Sequence, residues 1–257
     1  MAVQFDDIVF GPIKSRRLGS SLGVNLLPRY GKWCSFDCIY CECGWNKDGR
    51  NDTKLPTKEE FYQALKKRLF ECREKGIKID TITFSGNGEP TLHPNFSEII
   101  DFALELRDSL YPSAQISVLS NSTQLGRTGI KEALAKVDNP ILKLDSSYEG
   151  LISIMDRPNP GYSVENVISQ LKWFKGNFIL QTMFIKGEAD GTRVDSTEPE
   201  LVEGWRKMVL DLRPREVMMY TLDRVPPAIG LKKVTIAEME YIAAPLIKEG
   251  IFVQIRG

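Results

Sequence analysis

Four cysteines within ten residues are the feature of this sequence with the clearest chemical meaning: Cys34, Cys38, Cys41 and Cys43. Three residues and then two separate the first three, so one short loop can direct three thiolates at a single centre. Structural zinc sites usually take two separated pairs of cysteine or histidine, and this chain has no second pair and a single histidine, His93. Thiolates are the ligands of iron-sulfur clusters, and a 4Fe-4S cluster held by only three cysteines leaves one iron open. The spacing therefore favours an iron-sulfur cluster over zinc.

The two remaining thiols are predicted to be spectators. Cys43 lies two residues past Cys41, and in an extended chain we expect its side chain to point away from the cluster. Cys72 lies eleven residues after Phe61, on the same apolar face of a predicted helix. Neither is therefore expected to bind iron.

The composition indicates a neutral globular chain of 257 residues. Its length and 42% hydrophobic content suit one barrel of alternating strands and helices. The 34 basic and 34 acidic residues cancel, which argues against an overall positive field for nucleic acid or an anionic membrane. Asp6 and Asp7 stand where a signal peptide needs positive charge, and no apolar run is long enough to span a bilayer. We therefore predict a cytoplasmic protein with no membrane partner, whose clustered thiols are metal ligands or redox groups rather than structural disulfides.

Hydrophobic periodicity predicts an α/β fold in which strands alternate with helices. Six strands and a short seventh are predicted at 21–27, 79–85, 114–120, 140–146, 178–185, 216–222 and 251–255. Helices are predicted between them at about 57–76, 95–110, 128–137, 163–175, 197–212 and 235–249. No linker divides the chain, so residues 21–257 are predicted to form one domain after an N-terminal extension of residues 1–20.

Polar and glycine-rich segments follow the strands, at the end where barrel enzymes place their sites. The cysteine loop follows the first strand, "GNGEP" the second, "NST" the third and "DSS" the fourth. The fifth leads to "KGEADG" and the sixth to "DRVPP". We expect one mouth to collect all six segments.

Two motifs resemble those of the radical S-adenosylmethionine (SAM) superfamily. "CSFDCIYC" resembles its cysteine motif, with the aromatic Tyr40 just before the last cysteine. "SGNGEP" at 85–90 resembles its Gly-Glu-Pro motif after the second strand, with Asn87 at the first glycine position. "FGPIKSRRLGSSLGVNLLP" is similar to small stand-alone members grouped with wybutosine-type tRNA enzymes. The resemblance spans about 22–222 and implies a partial (β/α)6 TIM-like barrel with a 4Fe-4S cluster at its C-terminal mouth.

The resemblance also implies a reaction and a set of residues. In the superfamily the amino and carboxylate groups of SAM bind the open iron, and an electron from the reduced cluster cleaves SAM to a 5'-deoxyadenosyl radical that takes hydrogen from substrate. The matching cluster ligands are Cys34, Cys38 and Cys41. The matching SAM positions are Tyr40, Gly86, Gly88, Glu89, Pro90, Asn121, Ser122, Asp145, Ser146, Arg157, Ile185 and Tyr220. Without the resemblance, the glycine-rich stretch is also consistent with a tight turn, and the other residues with helix caps, core or surface.

The substrate stays open at this point. Arg16 and Arg17 precede the first strand, where they could bind an anionic group at the mouth or face solvent. The alternatives are an enzyme acting on a small molecule, one that modifies a tRNA base, and a non-catalytic iron-sulfur or zinc protein for electron transfer or scaffolding. An electron carrier needs no SAM site, so "GNGEP" favours an enzyme of oxidoreductase or transferase type. Such an enzyme needs an electron donor such as flavodoxin or ferredoxin.

Overall fold

The computed structural model describes residues 3–15, 18–49 and 52–257 and has a mostly parallel central sheet. Its eight strands, in spatial order, are β1 (Val9–Ser15), β2 (Gly19–Asn25), β3 (Thr81–Ser85), β4 (Gln115–Ser120), β5 (Asn139–Lys143), β6 (Ile179–Met183), β9 (Glu216–Tyr220) and β11 (Val253–Arg256). All neighbours pair in parallel except β1, which is antiparallel to β2. A smaller antiparallel sheet consists of β10 (Leu231–Lys233), β7 (Ile185–Ala189) and β8 (Thr192–Asp195). The predicted α/β class is confirmed.

Helices connect the successive parallel strands. They are α1 (Lys58–Glu74), α2 (Phe96–Leu110), α3 (Ile130–Lys136), α4 (Glu149–Met155), α5 (Val164–Lys172), α6 (Pro199–Leu212) and α7 (Ile236–Lys248). A capping box starts α1, where Thr57 accepts from the Glu60 amide and Glu60 accepts from the Thr57 amide. Such reciprocal bonds satisfy amide groups that the first helical turn leaves unpaired, so the helix begins where the sequence predicts.

The strands separate apolar from polar side chains by alternation. Leu22 and Val24 of β2 are fully buried in the same apolar core as Phe61 and Leu65 of α1. Ser21 of β2 points to the other face, where its hydroxyl lies 2.8 Å from the Thr83 hydroxyl of β3. Because side chains alternate along a strand, the helices cover the apolar face and the polar face lines the interior.

The structure contains elements that periodicity missed. Strand β1 lies in the stretch 1–20, and its pairing with β2 is irregular between Phe10 and Ile13. Gly11 and Pro12 interrupt the alternation there, which hides the strand in the sequence. The β7–β8 hairpin occupies the "KGEADG" stretch, which the sequence predicts as a loop. Helix α4 begins shortly after the polar "DSS" segment, in a stretch for which the sequence predicts no helix.

The carboxyl ends of the parallel strands lie at one end of the sheet, because they share one direction. The cysteine loop, the glycine-rich loop after β3 and the polar segments after β4 and β5 therefore meet there. Within the described ranges, no helix is long and apolar enough to cross a bilayer.

Candidate functional site

Backbone hydrogen bonds join the cysteine loop to the glycine-rich loop after β3. The Trp33 amide donates to the Asn87 carbonyl at 2.8 Å, and the Glu89 amide donates to the Trp33 carbonyl at 3.1 Å. Gly88 has φ +141°, and a Cβ there would lie 1.9 Å from the Trp33 carbonyl oxygen. Only glycine permits this approach, so the two loops form one unit because position 88 has no side chain.

Asn87, at the position where the motif usually has glycine, has a structural task. It is fully buried. Its Nδ2 donates to the carbonyls of Phe5 at 3.0 Å and Pro28 at 2.8 Å, and its Oδ1 accepts from the Phe5 amide at 2.9 Å. The side chain of Asn87 therefore binds the N-terminal segment to the glycine-rich loop. The departure from the motif leaves the structure of the loop intact.

A cavity of about 670 Å³ opens at the mouth of the strands. The predicted site residues that line it are Cys34, Cys38, Tyr40, Cys41, Gly86, Gly88, Glu89, Asn121 and Tyr220. Along the sheet it is lined by Ser21, Thr83 and Gln181 from β2, β3 and β6. Tertiary structure thus brings the three motif cysteines and much of the predicted SAM site to one space.

The motif thiols share a buried site with a lysine. Lys32 is 4% exposed, and its ammonium donates to the Gly44 carbonyl at 3.2 Å. Burial alone would lower the pKa of Lys32, but the Cys41, Cys34 and Cys38 sulfurs raise it above its usual value. Burial raises the pKa of Cys34 to about 12 even with this cation nearby. Full ionisation of the thiols therefore calls for more positive charge than Lys32 supplies.

Glu89 is buried, and its carboxylate is bound by neutral groups. One oxygen accepts from the Thr91 amide at 3.0 Å and from the Thr91 hydroxyl at 2.5 Å. The other accepts from the Asn121 amide at 2.5 Å. Burial raises the pKa of Glu89, and these donors oppose the rise. Glu89 thereby fixes the start of the loop after β4, where Asn121 Nδ2 lies 3.5 Å from the Cys34 sulfur.

A buried ionic cluster that sequence reasoning missed lies behind Cys38. Lys143, the last residue of β5, pairs with Asp145 at 3.2 Å and with Asp156, and the Tyr40 hydroxyl lies 2.6 Å from Asp156. The Cys38 thiol donates to the same Asp156 oxygen at 3.3 Å. Burial and the neighbouring Asp156 raise the pKa of Asp145 to about 7. A lysine in an otherwise apolar strand is the signal that could have found this cluster.

Six predicted SAM residues do not line the cavity: Pro90, Ser122, Asp145, Ser146, Arg157 and Ile185. Pro90 begins a short 3-10 turn. The Ser122 hydroxyl donates to the Lys143 carbonyl at 2.9 Å, and the Ser146 hydroxyl accepts from the Tyr148 amide at 3.0 Å.

Arg157 and Ile185, two of those six, are used elsewhere. Arg157 pairs with Asp190 at 2.6 Å, and its guanidinium lies 5.2 Å from the centre of the Trp45 ring. Ile185 is fully buried at the start of β7, and its amide donates to the Ser196 hydroxyl at 2.9 Å. Both hold neighbouring segments together around the site.

The expected orientation of Cys43 is wrong. Its side chain lines the cavity and its thiol donates to the Gly86 carbonyl at 3.3 Å. Residues two apart in an extended chain share a face, and here the chain is in any case a turn in which the Gly44 amide donates to the Cys41 carbonyl at 3.0 Å. Cys72 is buried on α1 as expected.

Arg16 and Arg17 lie outside the described residues.

The donors present fit a 4Fe-4S cluster. No three cysteine, histidine or acidic side chains of residues 3–15, 18–49 and 52–257 are close enough to hold one metal ion together. A cluster instead accepts one thiolate on each iron, and the cavity contains three free motif cysteines. The raised pKa of the buried Cys34 thiol points the same way, because bound iron would supply the missing positive charge.

Comparison with known proteins identifies relatives in sequence and in fold. The model of the radical SAM superfamily matches residues 29–198. A UPF0026 protein of Methanocaldococcus jannaschii is 31% identical over 229 residues, covering 85% of this chain and 64% of that protein. The chain therefore spans less than two thirds of that relative's length.

Two solved structures share the fold at low sequence identity. Streptococcus suis SuiB bound to S-adenosylmethionine has a TM-score of 0.64 and 15% identity, over 88% of this chain and 49% of SuiB. TYW1 with a lysine-pyruvate adduct bound has a TM-score of 0.60 and 16% identity, over 89% of this chain and 73% of TYW1. With the family match and the joined cysteine and glycine loops, these findings show that the chain belongs to the radical SAM superfamily, whose members use a 4Fe-4S cluster and SAM.

Proposed function

We propose that this protein reductively cleaves SAM at a 4Fe-4S cluster bound by Cys34, Cys38 and Cys41, and that the resulting radical abstracts hydrogen from a substrate held in the same cavity. The main support for this proposal is that hydrogen bonds join the cysteine loop to the glycine-rich loop. Trp33 and Glu89 hold the cysteine loop against the glycine-rich loop, so the proposed ligands and the proposed SAM site share one cavity.

Several residues have distinct tasks in this proposal. The cluster, when bound, supplies the electron that breaks a C-S bond of SAM. Lys32 balances the charge of the three thiolates from within the loop. Gly86 and Gly88 offer backbone carbonyls to the amino group of SAM. Glu89 acts as a positioning residue, since its carboxylate is already bound to Thr91 and Asn121.

The cavity wall protects a radical from water and stray hydrogen donors. Phe36, Met183 and Leu222 line the cavity as apolar side chains, and each is 5% exposed or less. A shielded site suppresses side reactions of reactive intermediates. Tyr220, at the end of β9, lies where it could border the adenosyl group.

Anaerobic reconstitution tests the proposal directly. Wild-type protein should bind about four irons and four sulfides, and after reduction with dithionite it should convert SAM slowly to 5'-deoxyadenosine. Replacement of Cys34, Cys38 or Cys41 by alanine should abolish both, whereas Cys72→Ala should retain both. Absence of 5'-deoxyadenosine from protein with an intact reduced cluster would contradict the proposed reaction. Zinc in place of iron after anaerobic purification would favour a scaffold.

The proposed cellular setting follows from the cofactor. A low-potential cluster needs a reductant, and we expect flavodoxin or ferredoxin in a reducing cytoplasm to supply the electron. Purified flavodoxin with its reductase should replace dithionite in the 5'-deoxyadenosine assay. Failure of both flavodoxin and ferredoxin, with dithionite active, would contradict this choice of donor.

We propose an anionic substrate because basic residues outnumber acidic ones in the cavity lining: Lys14, Lys32, Lys143, Arg224 and Arg256 against Glu42, Glu89 and Asp223. Arg224 also pairs with Glu42 at 2.6 Å. A tRNA substrate would bind through many phosphates, so its affinity should fall steeply with salt, whereas a small anion should show a shallow dependence. Arg256→Met should weaken binding of either, while the exposed Lys67→Met should not. Equal binding by both variants would contradict an anionic substrate.

A further inference from the structure

Cys43 is a fourth thiol in the cavity of the three motif cysteines. Its sulfur lies 3.3 Å from the Gly86 carbonyl oxygen, to which it donates. Cys43 follows Cys41 by two residues, in the turn closed by the Gly44 amide and the Cys41 carbonyl. The turn that ends in Gly44, with φ +81°, directs the thiol inward. Cys43 therefore bridges the proposed cluster ligands and the proposed SAM loop.

Gly86 lies in a closely packed part of the glycine-rich loop. Gly86 has φ +112°, and a Cβ at this position would lie 2.5 Å from Asn25 Oδ1. The Asn25 side chain is itself fixed, because Nδ2 donates to the Leu27 carbonyl at 3.1 Å and Oδ1 accepts from the Asn87 amide at 3.1 Å. These bonds hold the loop that contains the Gly86 carbonyl, for which Cys43 and the amino group of SAM would compete.

We propose that Cys43 is a displaceable fourth ligand, which closes the open iron while SAM is absent and releases it when SAM binds. On binding, an iron-sulfur bond forms and the thiol proton goes to solvent. When the amino nitrogen and carboxylate of SAM bind the iron in its place, the iron-sulfur bond to Cys43 would break, the thiolate would take a proton from solvent, and the ammonium of SAM would release one. No electron is transferred in either direction.

The chemistry of the site supports this role. Thiolate is the ligand that cluster iron prefers, and Cys43 lies beside a proposed ligand rather than in the apolar core. Lys32 is the buried cation of the same loop, and its ammonium donates to the carbonyl of Gly44, the residue after Cys43, at 3.2 Å. The inference rests on the proposed three-cysteine cluster site and is independent of what the radical acts on.

Controlled oxidation tests whether the open iron is closed. Clusters in wild type, Cys43→Ala and Cys72→Ala are reconstituted and their iron counted, and SAM-free samples are then oxidised with ferricyanide. Electron paramagnetic resonance follows the 3Fe-4S signal that appears when the open iron is lost. Cys43→Ala should lose this iron several-fold faster than wild type, and Cys72→Ala should match wild type. SAM should protect the Cys43→Ala cluster.

The affinity for SAM gives a second readout that a merely structural role would not change. If Cys43 holds the iron in about nine tenths of the molecules, its removal should lower the apparent Kd for SAM about tenfold, since the competent fraction rises to one. In the oxidation experiment Cys43→Ser should lose iron like Cys43→Ala, because a hydroxyl keeps the bond to Gly86 but is a poor ligand of cluster iron.

The results separate this inference from the proposed function. Equal iron loss and equal SAM affinity in wild type and Cys43→Ala would overturn it, even with 5'-deoxyadenosine formation intact. Protection by serine equal to that by cysteine would also overturn it, because a hydrogen bond would then suffice. Failure of Cys43→Ala to bind four irons would make Cys43 an obligatory ligand and would overturn both displacement and the three-cysteine site.

Discussion

Glu89 and Asp156 are two buried carboxylates beside the cysteine loop, and the protein stabilises their charges in opposite ways. Glu89 accepts hydrogen bonds from the backbone amides of Thr91 and Asn121, and both of these donors are neutral. Asp156 contacts the ammonium of Lys143 and the hydroxyl of Tyr40. Neutral donors orient backbone, whereas an ion pair balances charge, so the two sides of the site should tolerate mutation very differently.

Mutations around Asp156 should lower stability more than mutations around Glu89. Asp156 is fully buried, and one of its carboxylate oxygens has no hydrogen-bond partner. Lys143 also faces Asp145 and lies 4.8 Å from the centre of the Phe36 ring. Removing Lys143 would leave two acids without their cation, whereas removing the charge of Glu89 would leave its backbone donors largely in place.

Lys143→Met should have the largest effect on stability. We expect a loss of about 3–5 kcal/mol in the free energy of unfolding, because the variant leaves uncompensated buried charge. Anaerobic denaturation of the cluster-loaded protein measures it, and the exposed Lys67→Met is the matched control. Adding Asp156→Asn to Lys143→Met should restore part of the loss. A loss no larger than that of Lys67→Met would remove the distinction between the two carboxylates.

Glu89→Gln should have an intermediate effect. The new amide nitrogen cannot accept from Thr91 or Asn121, so one donor loses its partner at a cost of about 1–3 kcal/mol. The exposed Glu59→Gln is the control in the same denaturation experiment. The cluster spectrum should persist, and SAM binding should weaken because Asn121 is displaced. A larger loss than in Lys143→Met would reverse the comparison.

Protonation of His93, which follows the turn that begins at Glu89, should be tolerated poorly. His93 is buried, with Nε2 2.8 Å from the Pro56 carbonyl and Nδ1 accepting from the Asn95 amide at 3.1 Å. Burial lowers the pKa of His93 below 6.5. The unfolded chain therefore binds the proton more readily, so stability should be full above pH 6.5 and fall as pH drops below it.

The slope of this loss should be at most about 1.4 kcal/mol per pH unit. His93→Gln should flatten it in denaturation series recorded between neutral and mildly acidic pH. An unchanged slope in this variant would assign the pH dependence to other groups.

The partly exposed ion pair of Lys186 with Glu238 should give the smallest effect. The Lys186 ammonium and the Thr235 amide lower the pKa of Glu238 to about 2. This contribution is present above pH 4.5 and lost as pH falls through about 2. Solvent screens the pair, so Lys186→Met should cost about 0–1 kcal/mol, and less at high salt. A cost near that of Lys143→Met would show that burial is not the cause of the difference.

Local patterns were enough to predict much of the framework. The strands from 79–85 to 216–222 and the helix starts near 57 and 235 appear close to their predicted places, because alternation and capping boxes are local in sequence. Strand β1 was missed, since its identity depends on pairing with β2 across an irregular register. The same limit applies to the β7–β8 hairpin, whose polar sequence suits a loop equally well.

For the site, the sequence alone determined the chemistry of the donors: three thiols at a cluster spacing and a glycine where a backbone must approach closely. Only the tertiary structure decided which other groups meet them. Lys143 lies 13 residues before Asp156 and 105 residues after Cys38. The contact of these three side chains depends on the packing of β5, α4 and the cysteine loop. Side-chain direction within a turn and contacts between distant segments are set by the fold, which no local spacing encodes.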